Sequence, residues 1–180
     1  MARTGGWAIA AAAAATIALQ AATGAAQTLE ERVGGHRDWS VYEHGGGANR
    51  VCWVASSPKR WEARRGGSRV QVRRGEIFFN VAVRPGQGVA NEASFIAGYP
   101  LDEDQEVRVS IGDDRFQMFS EGETAWLENT ERDDDLVAAM RRGLEAEVRG
   151  VSTRGTTTID TFSLLGFTAA LEDARALCGG

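Results

Sequence analysis

Ser152-Thr-Arg-Gly-Thr156-Thr-Thr-Ile-Asp160 gathers hydroxyls and a carboxylate in one short run, and hydrolysis through a hydroxyl nucleophile is the chemistry such groups could perform. A serine or threonine nucleophile needs a base within hydrogen-bond reach and a third group to orient that base. The two histidines, His36 and His44, stand far upstream. In a strand, Thr156, Thr158 and Asp160 share one face, and Thr157, Ile159 and Thr161 share the other. Threonine's branched Cβ suits that pleated surface, so a solvated strand face is the expected role. A hydrolase built on Ser152, Thr153 and Asp160 is the sharper alternative. No catalytic residue is assigned.

The acidic run Asp102-Glu-Asp-Gln-Glu106, with Asp113-Asp114, carries oxygen ligands of the kind calcium takes. It lacks the central glycine and distal glutamate of a calcium loop, and solvated turns explain it. Two histidines and two cysteines are too few for the four well-spaced ligands of a zinc site. Gly45-Gly-Gly47 is not followed by the Lys-Ser or Lys-Thr of a phosphate loop. No metal or cofactor is expected.

The remaining chemistry is cationic. Seven basic residues lie between Pro58 and Arg74 against one acid, Glu62, with Trp61 among them. Arg60, Arg64, Arg65, Arg69, Arg73 and Arg74 are the candidate contact for an anionic partner, because guanidinium forks match carboxylate and phosphate geometry. An envelope or host protein, or an anionic glycan such as lipopolysaccharide, has the required charge. The plainer expectation is a solvated, mobile hairpin or long loop around Gly66-Gly67.

The elements that must position these groups are short. Trp39–Tyr42 and Val51–Ser56 read as strands about a glycine-rich loop. Ile77, Phe79, Val81 and Val83 alternate with Asn80 and Arg84, the period of a half-buried strand. Ala93–Tyr99 is a further strand, and Val107–Ile111 turns through Gly112-Asp-Asp into Arg115–Phe119 as a hairpin. Thr124–Leu127 adds another. A helix follows, with Thr130 as N-cap, acids in its first turn, and Arg141, Arg142 and Gly143 at its end. Leu144–Thr153 and Thr156–Ser163 read as two strands, and Phe167–Leu177 as a C-terminal helix. The expected fold is mainly β, an antiparallel β-sandwich or partly open barrel with one or two helices. Residues 38–180 form its single domain, preceded by a flexible leading segment, 27–37.

Residues 1–26 have the pattern of a cleaved secretory signal peptide: Arg3, an apolar run from Trp7 to Leu19, then small residues ending at Gly24-Ala25-Ala26. The run is shorter than the roughly 20 residues of a membrane-spanning helix, although an uncleaved anchor is the alternative. Removing this leader takes the formal charge from −5 to −6. Such acidity argues against nucleic-acid binding, which relies on neutralising phosphates. Nineteen of the twenty basic residues are arginine, a composition expected of a GC-rich genome. Cys52 and Cys178 both follow the leader, so an oxidising compartment would join them in one disulfide. Two free buried thiols are the alternative. The bridge would close nearly the whole domain, worth about 4–5 kcal/mol by chain entropy.

Asp38-Trp39-Ser-Val, Cys52-Trp-Val-Ala-Ser-Ser-Pro58, Asn91-Glu-Ala-Ser and Gly98-Tyr-Pro100 occur in that order. Val109-Ser-Ile-Gly112, Ala125-Trp-Leu127, Ser152-Thr-Arg-Gly-Thr156, Asp160-Thr-Phe-Ser-Leu164, Gly166-Phe-Thr-Ala-Ala170 and Cys178-Gly179 follow. Over residues 38 to 179 the chain resembles the invasion-associated locus B family of exported proteobacterial proteins. Many members place a cysteine where this chain has Glu43, so Cys52 must pair with Cys178 or stay free. The basic stretch is also longer than in typical members.

The resemblance implies a β-rich periplasmic or envelope-associated protein, linked in some pathogens with invasion of host cells, and it brings no catalytic residues. The expected function is therefore a non-enzymatic interaction module, exported to the envelope or secreted. A second possibility is a small-ligand binder with a pocket between sheet and helix lined by Trp53, Phe79, Phe95 or Trp126.

Overall fold

The computed structural model describes Met1 and residues 31–179. Apart from Met1, the leader 1–26 lies outside the described residues, as do residues 27–30. The first strands are β1 (Glu31–His36), β2 (Trp39–His44), β3 (Val51–Ser56), β4 (Arg60–Arg65), β5 (Ser68–Arg69) and β6 (Phe78–Arg84). They are followed by β7 (Val89–Ile96), β8 (Val107–Ile111), β9 (Asp114–Glu121) and β10 (Thr124–Trp126). Helix α1 (Thr130–Arg142), strands β11 (Glu145–Val151) and β12 (Thr157–Ser163), and helix α2 (Phe167–Cys178) complete the order.

All twelve strands join one antiparallel sheet in the order β1-β2-β3-β6-β7-β10-β9-β8-β11-β12-β4-β5. The sheet rolls over on itself without closing. Its interior alternates as the pleat requires: Val41, Val54, Val81 and Ala93 are aligned cross-strand partners and all are buried. The roll brings Phe162 of β12 edge-on to Phe79 and Phe95, with ring centroids 5.5 and 6.2 Å away. Mainly β, antiparallel and open, with two α-helices among the described residues: the expected class holds.

Helix α2 buries Phe167, Ala170, Leu171 and Ala174, one apolar stripe at helical spacing. Phe167 lies 4.9 Å from Trp39, whose indole N–H donates to the Ser163 carbonyl. Cys178 at the end of α2 bridges to Cys52 on β3, Cα to Cα 5.9 Å.

Three local expectations change. Residues 31–36 are not a flexible lead but a strand, because the free edge of β2 offers backbone partners and the C-terminal helix closes on the same edge. His36 hydrogen-bonds Asp173 of α2 at 2.6 Å. The N-cap of α1 is Asn129, not Thr130; its side-chain oxygen accepts from the Arg132 N–H at 3.0 Å. The basic stretch does turn at Gly66-Gly67 as a hairpin, β4 against β5, but it is part of the sheet rather than a solvated loop: β4 pairs in register with β12, Asp160 opposite Trp61 and Thr158 opposite Ala63.

Candidate functional site: an arginine cleft at the open end of the sheet

The chain leaves β3, crosses to the far end of the sheet for β4 and β5, and returns to β6. That return carries residues 70–77 past the inner face of β12 and decides the fate of each arginine.

Arg74 is buried, its side chain 2 % exposed against 0 % for Asp160. Its guanidinium meets the Asp160 carboxylate as a fork, at 2.5 and 2.9 Å. Two further bonds go to the Ala97 carbonyl, at 3.0 and 2.7 Å. Trp61 and Tyr99 lie against the same guanidinium, ring centroids 5.2 and 5.0 Å away. Thr158 donates to Asp160 at 3.3 Å and shares a 2.7 Å hydrogen bond with the Tyr99 hydroxyl. Burial pushes the Asp160 carboxyl above its ordinary value, while the Arg74 fork pulls it down. Burial likewise raises the Tyr99 phenol.

The strand face expected in solvent is thus interior: Thr156, Thr158 and Asp160 are all buried. The polarity of this β12 face is explained by the cation it receives. A buried carboxylate persists where a charge partner and hydrogen bonds satisfy it.

Above this floor opens a cleft of about 590 Å³, lined by Arg65, Arg73, Tyr99, Thr153 and Arg154 among others. Arg65 donates to Thr156 Oγ1 at 3.0 and 2.6 Å. Among the described residues, Arg65, Arg73 and Arg154 have no carboxylate partner within ion-pair distance. The lining carries one acid, Glu123. The turn bearing Thr153 and Arg154 is held by the Thr153 N–H to the Pro100 carbonyl, 3.1 Å, and the Gly155 N–H to the Ser152 carbonyl, 2.8 Å.

The six arginines expected to act together divide. Arg60 forks onto Glu145 at 2.9 and 2.9 Å, while Arg64, at 2.7 Å, and Arg69 both bind Glu62. These three are paired off. Arg65 and Arg73 reach the cleft, and Arg74 lies in its floor, locked to Asp160. Arg154 was missed because it stands alone in the sequence, outside any basic run.

The other candidate groups do not converge. Phe79 and Phe95 are core residues; Trp53 stacks on Tyr42 at 5.3 Å and Trp126 lies 6.0 Å from Phe119, both on the outer face. The carboxylates of the acidic run are dispersed: Glu103 accepts from the Gly122 N–H, and Asp114 pairs with Arg142. Among the described residues, no three His, Cys, Asp or Glu side chains form a metal-sized group. No helix among them is long and apolar enough to cross a membrane.

Residues 39–175 match the model of the Invasion associated locus B (IalB) protein family. The chain belongs to this family. A crystal structure of invasion associated protein B from Bartonella henselae shares its fold, with a TM-score of 0.53 at 20 % identity. That match covers 85 % of this chain and 100 % of the Bartonella chain. A comparison with curated proteins finds no match. The cleft arginines and the Arg74–Asp160 floor are thus features of an invasion associated locus B chain.

Proposed function

We propose that this chain is an exported, periplasmic or envelope-associated interaction module, and that its cleft receives an anionic group of an envelope glycan. The chain that signal peptidase would release from the 1–26 leader is the working domain, with β1 (Glu31–His36) as its first strand. The observation that carries this reading is the cleft itself: Arg65, Arg73 and Arg154 face a concave space with one acid, Glu123, on its lining. Uncompensated guanidinium groups in a cleft focus the field on an incoming anion.

The module works without chemistry of its own. Asp160 is engaged by Arg74 and Thr158, and the cleft lining holds no histidine for it to orient. The Ser152 hydroxyl accepts from the Thr156 N–H at 3.1 Å, and His36 is engaged with Asp173 on the α2 side. The association with invasion that the family's name carries, and a wider role in envelope homeostasis, both fit a protein that docks on anionic surface material.

Co-sedimentation of the mature chain with lipopolysaccharide-bearing outer-membrane vesicles tests the proposal. Binding should fall as ionic strength rises from about 0.01 M to about 0.15 M. Arg73→Glu with Arg154→Glu should abolish it, while Arg60→Glu with Arg69→Glu, already paired with acids, should leave most of it. The reverse ranking of the two variants would refute the cleft as the contact.

A further inference from the structure

Resting on that proposal, we infer that the cleft recognises a single acidic sugar residue, one ring bearing a carboxylate or a phosphate, rather than a length of polyanion. Three observations bear on the size and character of the occupant. First, the cleft's 590 Å³ lies within the roughly 300–1,000 Å³ of small-molecule sites, and far exceeds what one inorganic anion fills. Second, its lining is mixed. Val72, Pro100 and Tyr99 supply apolar surface, Ser152 and Thr153 supply hydroxyls, and Arg73 and Arg154 supply charge. That is the lining an acidic sugar needs: carbon faces against apolar wall, ring hydroxyls to hydroxyls, and the anion on guanidinium.

Third, along β4 and β5 the arginines beyond the rim are paired with acids. A polyanion is held by a track of unpaired cations, each neutralising one of its charges. The arginines that would extend such a track along β4 and β5 are spent: Arg60 on Glu145, and Arg64 and Arg69 on Glu62. Arg74 is a positioning residue. Its bonds to Asp160 and the Ala97 carbonyl fix the floor and the Tyr99 ring above which the sugar would sit.

Titration of the isotope-labelled, oxidised mature chain with glucose 6-phosphate, glucuronic acid, glucose and inorganic phosphate, read by amide NMR shifts, tests the inference. At least one acidic sugar should move the amides of Arg73, Gly98 and Ser152 to Gly155. Glucose and inorganic phosphate should each bind at least about tenfold more weakly, a difference of about 1.4 kcal/mol. Preference for glucose 6-phosphate would assign a phosphate, and preference for glucuronic acid a carboxylate. Arg73→Ala with Arg154→Ala should weaken the acidic sugar by at least about tenfold, while amide shifts away from the cleft stay unchanged.

Inorganic phosphate matching the sugar phosphate would overturn the inference, as would the absence of binding by either acidic sugar. If vesicle binding still depended on Arg73 and Arg154 in that case, the broader glycan proposal would stand and only the single-residue inference would fall. Vesicle binding indifferent to those arginines would remove the broader proposal itself.

Discussion

Asp160→Ala should strip the carboxylate from the cleft floor and leave Arg74 charged and enclosed. Both side chains are almost wholly buried, so water cannot replace the lost fork without opening the structure. Breaking a buried pair from one side typically costs about 3–5 kcal/mol. Arg74 would keep its two bonds to the Ala97 carbonyl and its contacts with Trp61 and Tyr99, which places the expected loss near the lower end, about 3 kcal/mol. For a chain of this size that corresponds to a fall in Tm of about 6–12 °C.

Removing both charges is the informative contrast. Arg74→Met with Asp160→Leu leaves no buried ion to desolvate, and should recover to within about 1 kcal/mol of the wild type. Urea denaturation of the oxidised mature chain, followed by circular dichroism, measures all three proteins under one set of conditions. A loss below about 1 kcal/mol for Asp160→Ala would mean that Arg74 finds water or another anion, and the closed floor would be refuted. A double variant less stable than Asp160→Ala would refute it equally.

Three other outcomes are expected. Replacing Cys52 and Cys178 together by alanine removes a bridge between positions 126 apart, and should cost about 5 kcal/mol by chain entropy, read from guanidinium midpoints. The Arg64 and Arg69 hydrogen bonds hold the Glu62 carboxyl down at about 2. A carboxylate lowered in this way stabilises the folded state above its unfolded value of 4.5 and loses that contribution as pH falls towards about 2. Carboxyl-carbon NMR should therefore find the Glu62 midpoint near 2, and the β4–β5 hairpin should exchange amides faster below it; a midpoint near 4.5 would mean that the fork does not form in solution. Gly98 has φ +70°, and an added Cβ would sit 2.7 Å from the Gly75 carbonyl oxygen. Gly98→Ala should cost about 1–3 kcal/mol and disturb cleft amides, more than Gly122→Ala, which meets open space; thermal denaturation of the pair decides it.

Local pattern made much of the fold legible. Ile77, Phe79, Val81 and Val83 announce their strand by strict alternation, and Phe167, Ala170, Leu171 and Ala174 announce α2 by helical spacing, because those periods belong to the backbone itself. The β8–β9 hairpin is written in the turn at Gly112 between two alternating runs. Residues 31–36 escaped notice because they are polar and glycine-rich, and they are a strand only by virtue of β2. Asn129 outcompeted Thr130 as cap through a choice of one position, which local composition does not resolve.

The candidate site was legible only in its materials. A surplus of arginine near Gly66-Gly67 and a threonine-rich run ending at Asp160 were both visible as residues, each with a plain solvated expectation. Their meeting depends on β4 pairing with β12 rather than staying beside β3, a contact nearly a hundred positions apart in sequence. Nothing periodic in either segment encodes that pairing. It follows from the order in which strands bury their apolar faces around Phe79, Phe95 and Phe162.

The chain by itself therefore determined most of the strand and helix inventory, the family resemblance and the cysteine pair, since each rests on local spacing or residue identity. Tertiary structure alone decided which arginine is buried, which are neutralised by Glu62 and Glu145, and which stand free around the cleft. Charge acquires its role from neighbours and from water, and both are settled only when distant strands come together.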